Sequence, residues 1–414
     1  MHGDPRQAMH SVETRKSWLI AWTSLAVMSV SFGAPQIAVV ALRPIAAALG
    51  NAREVPALAY SLAWLGMAVG GLAMGRIADR IGVRWTVAFG AAMVAAGLAV
   101  ASGGAAWQLI LGHGVFIGLL GNGGLNAPLY VYVSRWFDRR RGTALALISS
   151  GQYVAGMIWP SIFAQAIATV GWQHTMRWFA VLEVVTVLPV ALLMLRDPPE
   201  TAPVGLAAAP RAGASVLGLR PNVALVLLGC AGFCCCVPMA MPQGHLVAFC
   251  GDLGIPASQG AAMLSLLLAS AFVSRQFWGW LSDRIGGLRT ILSASAVQLV
   301  TLTGFLLTQS EAGLFTVSAL FGFGFSGLIP AYVLAVRELF PPAEAGWRVP
   351  AMLLFSGSGM AAGGWLAGWI YDHAGFYDAA FAAGLGFNFL NLIIVGPLVL
   401  QWRRVQRMGF VAAQ

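Results

Sequence analysis

Between short polar breaks the chain returns repeatedly to apolar blocks of about twenty residues, the length a helix needs to cross a bilayer. The blocks fall at about 17–42, 56–76, 85–103, 107–134, 142–168, 174–195, 222–249, 259–281, 288–309, 311–336, 348–371 and 378–402, twelve spans in all. They are longer than outer-membrane barrel strands and lack a period-two alternation, so each is predicted to be a helix. With 9% charged and 58% hydrophobic residues, the composition excludes an ordinary soluble protein, whose charged share is about 25%. The expected fold class is an all-α membrane protein.

Basic residues set the orientation, because Lys and Arg accumulate in cytoplasmic loops. With the N-terminus inside, twenty of the 24 Lys and Arg residues fall in cytoplasmic segments, while Arg43, Arg53 and Arg177 fall outside and Arg275 lies within a span. Both termini are therefore expected in the cytoplasm, with the chain in the inner membrane. The stretch Met1 to Lys16 lacks the basic, apolar and cleavage-site order of a signal peptide, so the first block is a true span. The net charge of +9 follows from this topology and from attraction to anionic lipid, and implies no nucleic-acid partner. Five cysteines, Cys230, Cys234, Cys235, Cys236 and Cys250, crowd the seventh block with no acidic or His ligand set beside them. They read as packing thiols, and no metal or other cofactor is expected.

A charged phrase appears twice. "GRIADRIGVR" runs from Gly75 to Arg84 and "GWLSDRIGGLR" from Gly279 to Arg289, with Asp79 and Asp283 separated by 204 positions. Each sits between the second and third spans of a set of six. Phe137 and Gly142, after the fourth span, are matched by Phe340 and Gly346 after the tenth. The chain is therefore a duplication: a tail at 1–16, a six-helix half at 17–196, a linker at 197–221, a second half at 222–404 and a tail at 405–414. The linker contains "DPPETAPVGLAAAPRAGAS", rich in Pro, Ala and Gly. Small-residue runs, Gly118 to Gly124 and Gly357 to Gly364, are expected to allow close helix approach, and no phosphate-binding loop is present.

These residues resemble the major facilitator superfamily, whose loop between the second and third helices carries G-x-x-x-D-R/K-x-G-x-R/K. Gly75, Asp79, Arg80, Gly82 and Arg84 fill the pattern, and Gly279, Asp283, Arg284 and Gly286 echo it. The resemblance implies twelve helices in two pseudo-symmetric halves that rock about a central site. It also implies that the Asp79 loop, with Asp283 and Arg284 as its echo, is a latch that closes the inner boundary between halves. Asp79 would accept from the N-terminus of a neighbouring helix and its Arg neighbours would pair with acids across the boundary. The bland alternative is that the arginines only set topology.

The phrase "LLASAFVSRQFWGWLSDR", Leu267 to Arg284, resembles the eighth helix of monocarboxylate transporters and oxalate:formate antiporters. There an Arg before the loop binds the substrate carboxylate. That role is carried onto Arg275, about 13 Å deeper along the helix than Arg284. Its alternative is a buried Arg answering backbone carbonyls or Glu183. Three departures bear on the substrate: Gln36 stands where monocarboxylate transporters place a Lys, Ala271 where they place an Asp, and the second cation that oxalate transport uses in helix eleven is missing, since no Lys or Arg falls between Arg348 and Arg403. One buried cation suits a monoanion better than a dianion.

Glu183, the other ionisable residue deep in a span, lies on the sixth helix, which the resemblance puts at the periphery, so a partner within its own half is expected. Around Arg275, the polar candidates on pathway helices are Gln36, Asn122, Asn126, Tyr130, Gln152, Tyr153, Gln243, His245 and Tyr332, with interhelical glue as their alternative. His245 and His113 are the histidines considered for proton carriage. The expected function is secondary transport of a small organic anion, a monocarboxylate, by one chain acting as a monomer, with a proton or a counter-transported anion as coupling partner. An exporter of hydrophobic compounds is the alternative. No clustered acid, base or metal set supports an enzyme.

Overall fold

The structure, a computed structural model, describes residues 13–137, 140–195 and 216–411, and the side chains among them except at 141–142, 342–343, 345–346 and 405–411. Most of the linker and tails, and Arg6, Arg139, Arg196 and Arg211, lie outside the described residues.

Among the described residues twelve helices are long and apolar enough to cross a membrane. In the first half they are α1 Arg15–Val40, α2 Glu54–Ile81, α3 Val83–Ala101, α4 Ala106–Ser134, α5 Thr143–Val170 and α6 Trp172–Met194. In the second they are α7 Pro221–Asp252, α8 Ala257–Ile285, α9 Gly287–Leu307, α10 Glu311–Leu339, α11 Trp347–Ala374 and α12 Asp378–Arg404. Several outrun the apolar blocks, because capped and charged turns such as Thr14–Ser17 and Arg53–Glu54 continue the helix beyond the hydrophobic stretch. An even number of spans brings both ends of the chain to one face, here the terminal face; the opposite one is the distal face.

The duplication is visible atom by atom at the repeated phrase. Gly82 and Gly286 close α2 and α8 at φ +87° and +82°, a conformation that favours glycine. Their amides bond to the carbonyls of Ala78 and Ser282, and Thr86 and Thr290 then donate back to Gly82 and Gly286. Gly75 and Gly279 face open space, so no steric need for glycine shows there.

Within each half, small residues bring backbones together. A Cβ at Gly70 would run into the Leu119 carbonyl between α2 and α4, and one at Gly322 into the Leu267 carbonyl between α10 and α8. Between halves, α2 packs on α11, α5 on α8 and α1 on α7. Those contacts run from the distal face, where Ala57 meets Gly368 and Tyr60 meets Gly364, to Ser149 near the terminal end of α5, which meets Arg275 of α8. Among the described residues no hydrogen bond or ion pair joins the halves on the terminal side of that contact. The molecule is closed distally and open toward the terminal face.

Two helices are irregular at mid-depth. α1 breaks at Phe32, between segments Arg15–Ser31 and Gly33–Val40. α4 widens into a π-helical stretch over Gly112–Asn122, a distortion that recurs at functional sites.

Candidate functional site

A cavity sits where the halves meet, above the opening. Its walls are Phe32, Pro35 and Gln36 at the α1 break, Tyr60, Ala63, Trp64 and Met67 of α2, Asn122 where the α4 π-turn ends, Gln152 and Tyr153 of α5, Gln243 of α7 and Leu268 of α8. Five of the sequence-derived candidates, Gln36, Asn122, Gln152, Tyr153 and Gln243, are thereby brought together. Gln36 Oε1, Trp64 Nε1 and Asn122 Oδ1 are buried without a hydrogen-bond partner, whereas Gln243 Nε2 donates to the Met239 carbonyl. Unpaired polar atoms around a cavity are groups that a polar ligand can satisfy.

Arg275 lies one layer below, 8% exposed. Its Nη1 donates to the Ser149 carbonyl and hydroxyl, both at 2.9 Å, and its guanidinium lies 4.7 Å from the Tyr153 ring centre. Nε has no partner, so an edge of the fork remains for an acceptor. This arrangement fits both sequence readings at once: the cation answers a backbone carbonyl, and the Tyr153 ring it lies against also lines the cavity.

The other candidates lie elsewhere. Asn126 donates to Met67 Sδ just behind the wall, and Tyr130 sits against Ser149 and Arg275. Tyr332 points into its own half, where its hydroxyl donates to Asn391 Oδ1 at 2.7 Å and Asn391 donates on to Ser295. That is interhelical glue. His113 bonds to the Leu109 carbonyl within α4. Glu183 accepts from Ser31 of α1, a partner in its own half.

His245 belongs to a distal cluster that binds the halves together. Arg53 holds Asp252 through two bonds of 2.6 Å, and Asp372 accepts from the Arg53 and Glu54 amides at 2.9 and 2.8 Å, capping α2 from the opposite half. Trp365 donates to Glu54, and the Arg53 guanidinium stacks 3.7 Å from the Tyr371 ring centre. Burial works against the Arg53 charge, but the Asp252 hydrogen bond and the neighbouring Tyr377 more than offset it, and its pKa is raised. Burial also raises Tyr377, with Arg53 pulling the other way. His245 Nε2 faces the Gly364 carbonyl at 2.8 Å, which can only accept, so Nε2 carries the proton and Nδ1 accepts from Tyr377 at 3.0 Å. Sequence reasoning missed Arg53, Asp252 and Asp372 as a set. The signal available was the scarcity of charge on that face.

At the terminal face the latch residues differ from expectation in their partners. Asp79 pairs with Arg135, the residue after α4, at 3.0 Å, inside its own half. Arg80 and Arg84 are exposed, the latter over Trp85. Asp283 is exposed and Arg284 lies 3.9 Å from the Trp280 ring centre on its own helix. The ion pairs that cross between halves are distal because this conformer is closed there and parted at the terminal face.

Two matched six-helix halves, sealed on one face over a shared central cavity, define a membrane carrier for a small molecule. The family model of the Major Facilitator Superfamily matches residues 19–346 and 239–411, and the chain belongs to that superfamily. It is an integral multi-pass membrane transporter and not an enzyme. Monocarboxylate transporter 13 of Bos taurus is 26% identical over 355 residues, covering 81% of this chain and 79% of its own. An MFS-type transporter of Gibberella moniliformis is 26% identical over 316 residues, covering 75% and 73%. Among solved structures, a peptide transporter in complex with alafosfalin has a TM-score of 0.70 at 16% identity, covering 93% of this chain and 95% of its own. A bacterial homologue of the lysosomal transporter Spinster, inward-facing and occupied, has 0.65 at 15%, covering 94% and 98%. These two likenesses concern the fold alone.

Proposed function

We propose that the protein carries a small organic monoanion, a monocarboxylate, across the inner membrane by alternating access, as a monomer with both termini cytoplasmic. With that orientation the terminal opening is inward. The observation that carries the reading is Arg275, a cation between α5 and α8 with an unpaired Nε, beneath a cavity lined by Gln36, Trp64 and Asn122 atoms that lack partners. A guanidinium edge accepts a carboxylate through two parallel bonds. Turning Tyr153 aside would admit the carboxylate to Arg275 and leave the substrate's body against Phe32, Trp64, Met67 and Leu268. The Asp79 and Asp283 loops serve as the inner latch, disengaged in this conformer. The coupling partner is a proton or a counter-transported anion.

The test is uptake of radiolabelled monocarboxylates into vesicles by wild type, Arg275→Ala and Arg275→Lys. Lys keeps the charge and loses the fork, so both variants are expected to lose at least about tenfold in uptake at normal membrane levels. Undiminished uptake in both would make Arg275 a structural residue. The apolar wall supports the exporter of hydrophobic compounds as the second reading, and export of such compounds by Arg275→Ala at wild-type rate would favour it.

A further inference from the structure

We propose that Glu183 is the proton-binding site that couples this carrier to a proton gradient. Glu183 is wholly buried at mid-helix in α6. The Ser31 hydroxyl donates to its Oε1 at 2.5 Å, and Oε2 has no partner. α6 packs on α1, α3 and α5. The charges of α1 are Arg15 and Lys16, about 23 Å along the helix from Ser31, and that of α3 is Arg84 at its first turn. The described part of α5 has no acid, base or histidine, and its Tyr153 faces the cavity. On α6 itself, Arg177 is about 9 Å further along and bonds to Ser102. His174 lies at the distal end of α6. Among the described residues no cation faces the carboxyl, so an ionised Glu183 would be an unpaired buried charge in this conformer.

The second observation is where Ser31 sits. It is the last residue before the α1 break, and the next residue, Phe32, is a cavity wall. Beyond the break, Gly33 is pressed against Phe179 of α6 and Trp159 of α5. The carboxyl therefore touches the hinge of the segment that carries Phe32, Pro35 and Gln36. When the halves rock and this hinge shifts, the carboxyl loses the packing that keeps it neutral and gives its proton to water; rebinding a proton restores the present packing. No electrons move, and one proton is carried per cycle. Glue alone does not call for an acid: in the second half, α12 ties itself to α9 with neutral Asn388 and Asn391.

The inference rests on the alternating-access reading and is independent of the substrate's charge. The full-length protein in lipid vesicles is titrated from about pH 5 to 10 and followed by difference infrared spectroscopy of the carboxyl stretch, for wild type, Glu183→Asp and Glu183→Gln. A protonated-carboxyl band is expected that titrates in wild type and in the Asp variant and is absent from the Gln variant. A band that never titrates, or that persists in Glu183→Gln, overturns the proposal. In the same vesicles, with radiolabelled pyruvate as probe, Glu183→Gln is expected to lose accumulation driven by a pH gradient and to keep equal-pH exchange. Gradient-driven accumulation at the wild-type level in Glu183→Gln overturns it as well. Failure of wild type to move pyruvate would count against the monocarboxylate reading alone, with the infrared titration still deciding this one.

Discussion

Single residues in this carrier are expensive where they are polar, and the structure shows how each cost is met. His245 stands in a buried site and satisfies both ring nitrogens, one on the Gly364 carbonyl and one on the Tyr377 hydroxyl. His245→Ala removes both bonds and is expected to destabilise the folded protein by about 1–3 kcal/mol, read as a lower thermal unfolding midpoint in detergent. An unchanged midpoint would mean that the histidine is not so engaged. Arg275, Glu183 and Asn122 are different, for each keeps a buried polar atom with no partner in the protein. Intramembrane polarity left unsatisfied marks where a ligand or proton is to be sought. The sequence picked out Arg275 because a lone cation among apolar residues is conspicuous. It could not show that Tyr153 covers it.

At the scale of elements, helix pairs are set by glycines at crossing points. Gly322 lets α10 lie against the α8 backbone at Leu267, close to Leu268 of the cavity wall. Gly322→Val forces those backbones apart and is expected to lower the yield of folded protein in detergent, whereas Gly279→Val, at a site facing open space, is expected to have little effect. Equal yields from the two variants would contradict this packing. The helices, their order and the repeat were legible in the sequence, because apolar length and the 204-residue offset need no partner to be seen. The break at Phe32 and the π-turn over Gly112–Asn122 were not, since each is a backbone irregularity inside an apolar run that reads as one span.

For the whole molecule, the distal cluster is a set of charged contacts that ties one half to the other. Removing the Arg53 side chain takes away two charge-assisted bonds to Asp252, an interaction worth about 1.5–3 kcal/mol. Arg53→Ala is therefore expected to raise the population open at the distal face by about ten- to a hundredfold. Labelling of a single cysteine placed at Ala57, which faces Gly368 across the halves, would measure it. A double-mutant cycle with Asp252→Asn should show coupling, since both substitutions remove the same pair. Labelling no faster than in a variant with Arg53 intact would mean that the cluster does not hold the distal face shut.

Hydrophobicity along the chain was enough to set the membrane and the number of spans, because burial in lipid depends on each segment's own composition. The repeated loop added the two halves and the superfamily, because its pattern of glycine, aspartate and arginine is written within one short stretch. Which polar residues meet was decided only by packing in three dimensions. Gln36, Asn122, Gln152, Tyr153 and Gln243 share a cavity, while Tyr332 and His245, equally polar and on equally suitable helices, face elsewhere. Helix rotation and the closure of one face are properties of contacts between distant segments, such as Arg53 with Asp252. No stretch of sequence carries those contacts alone.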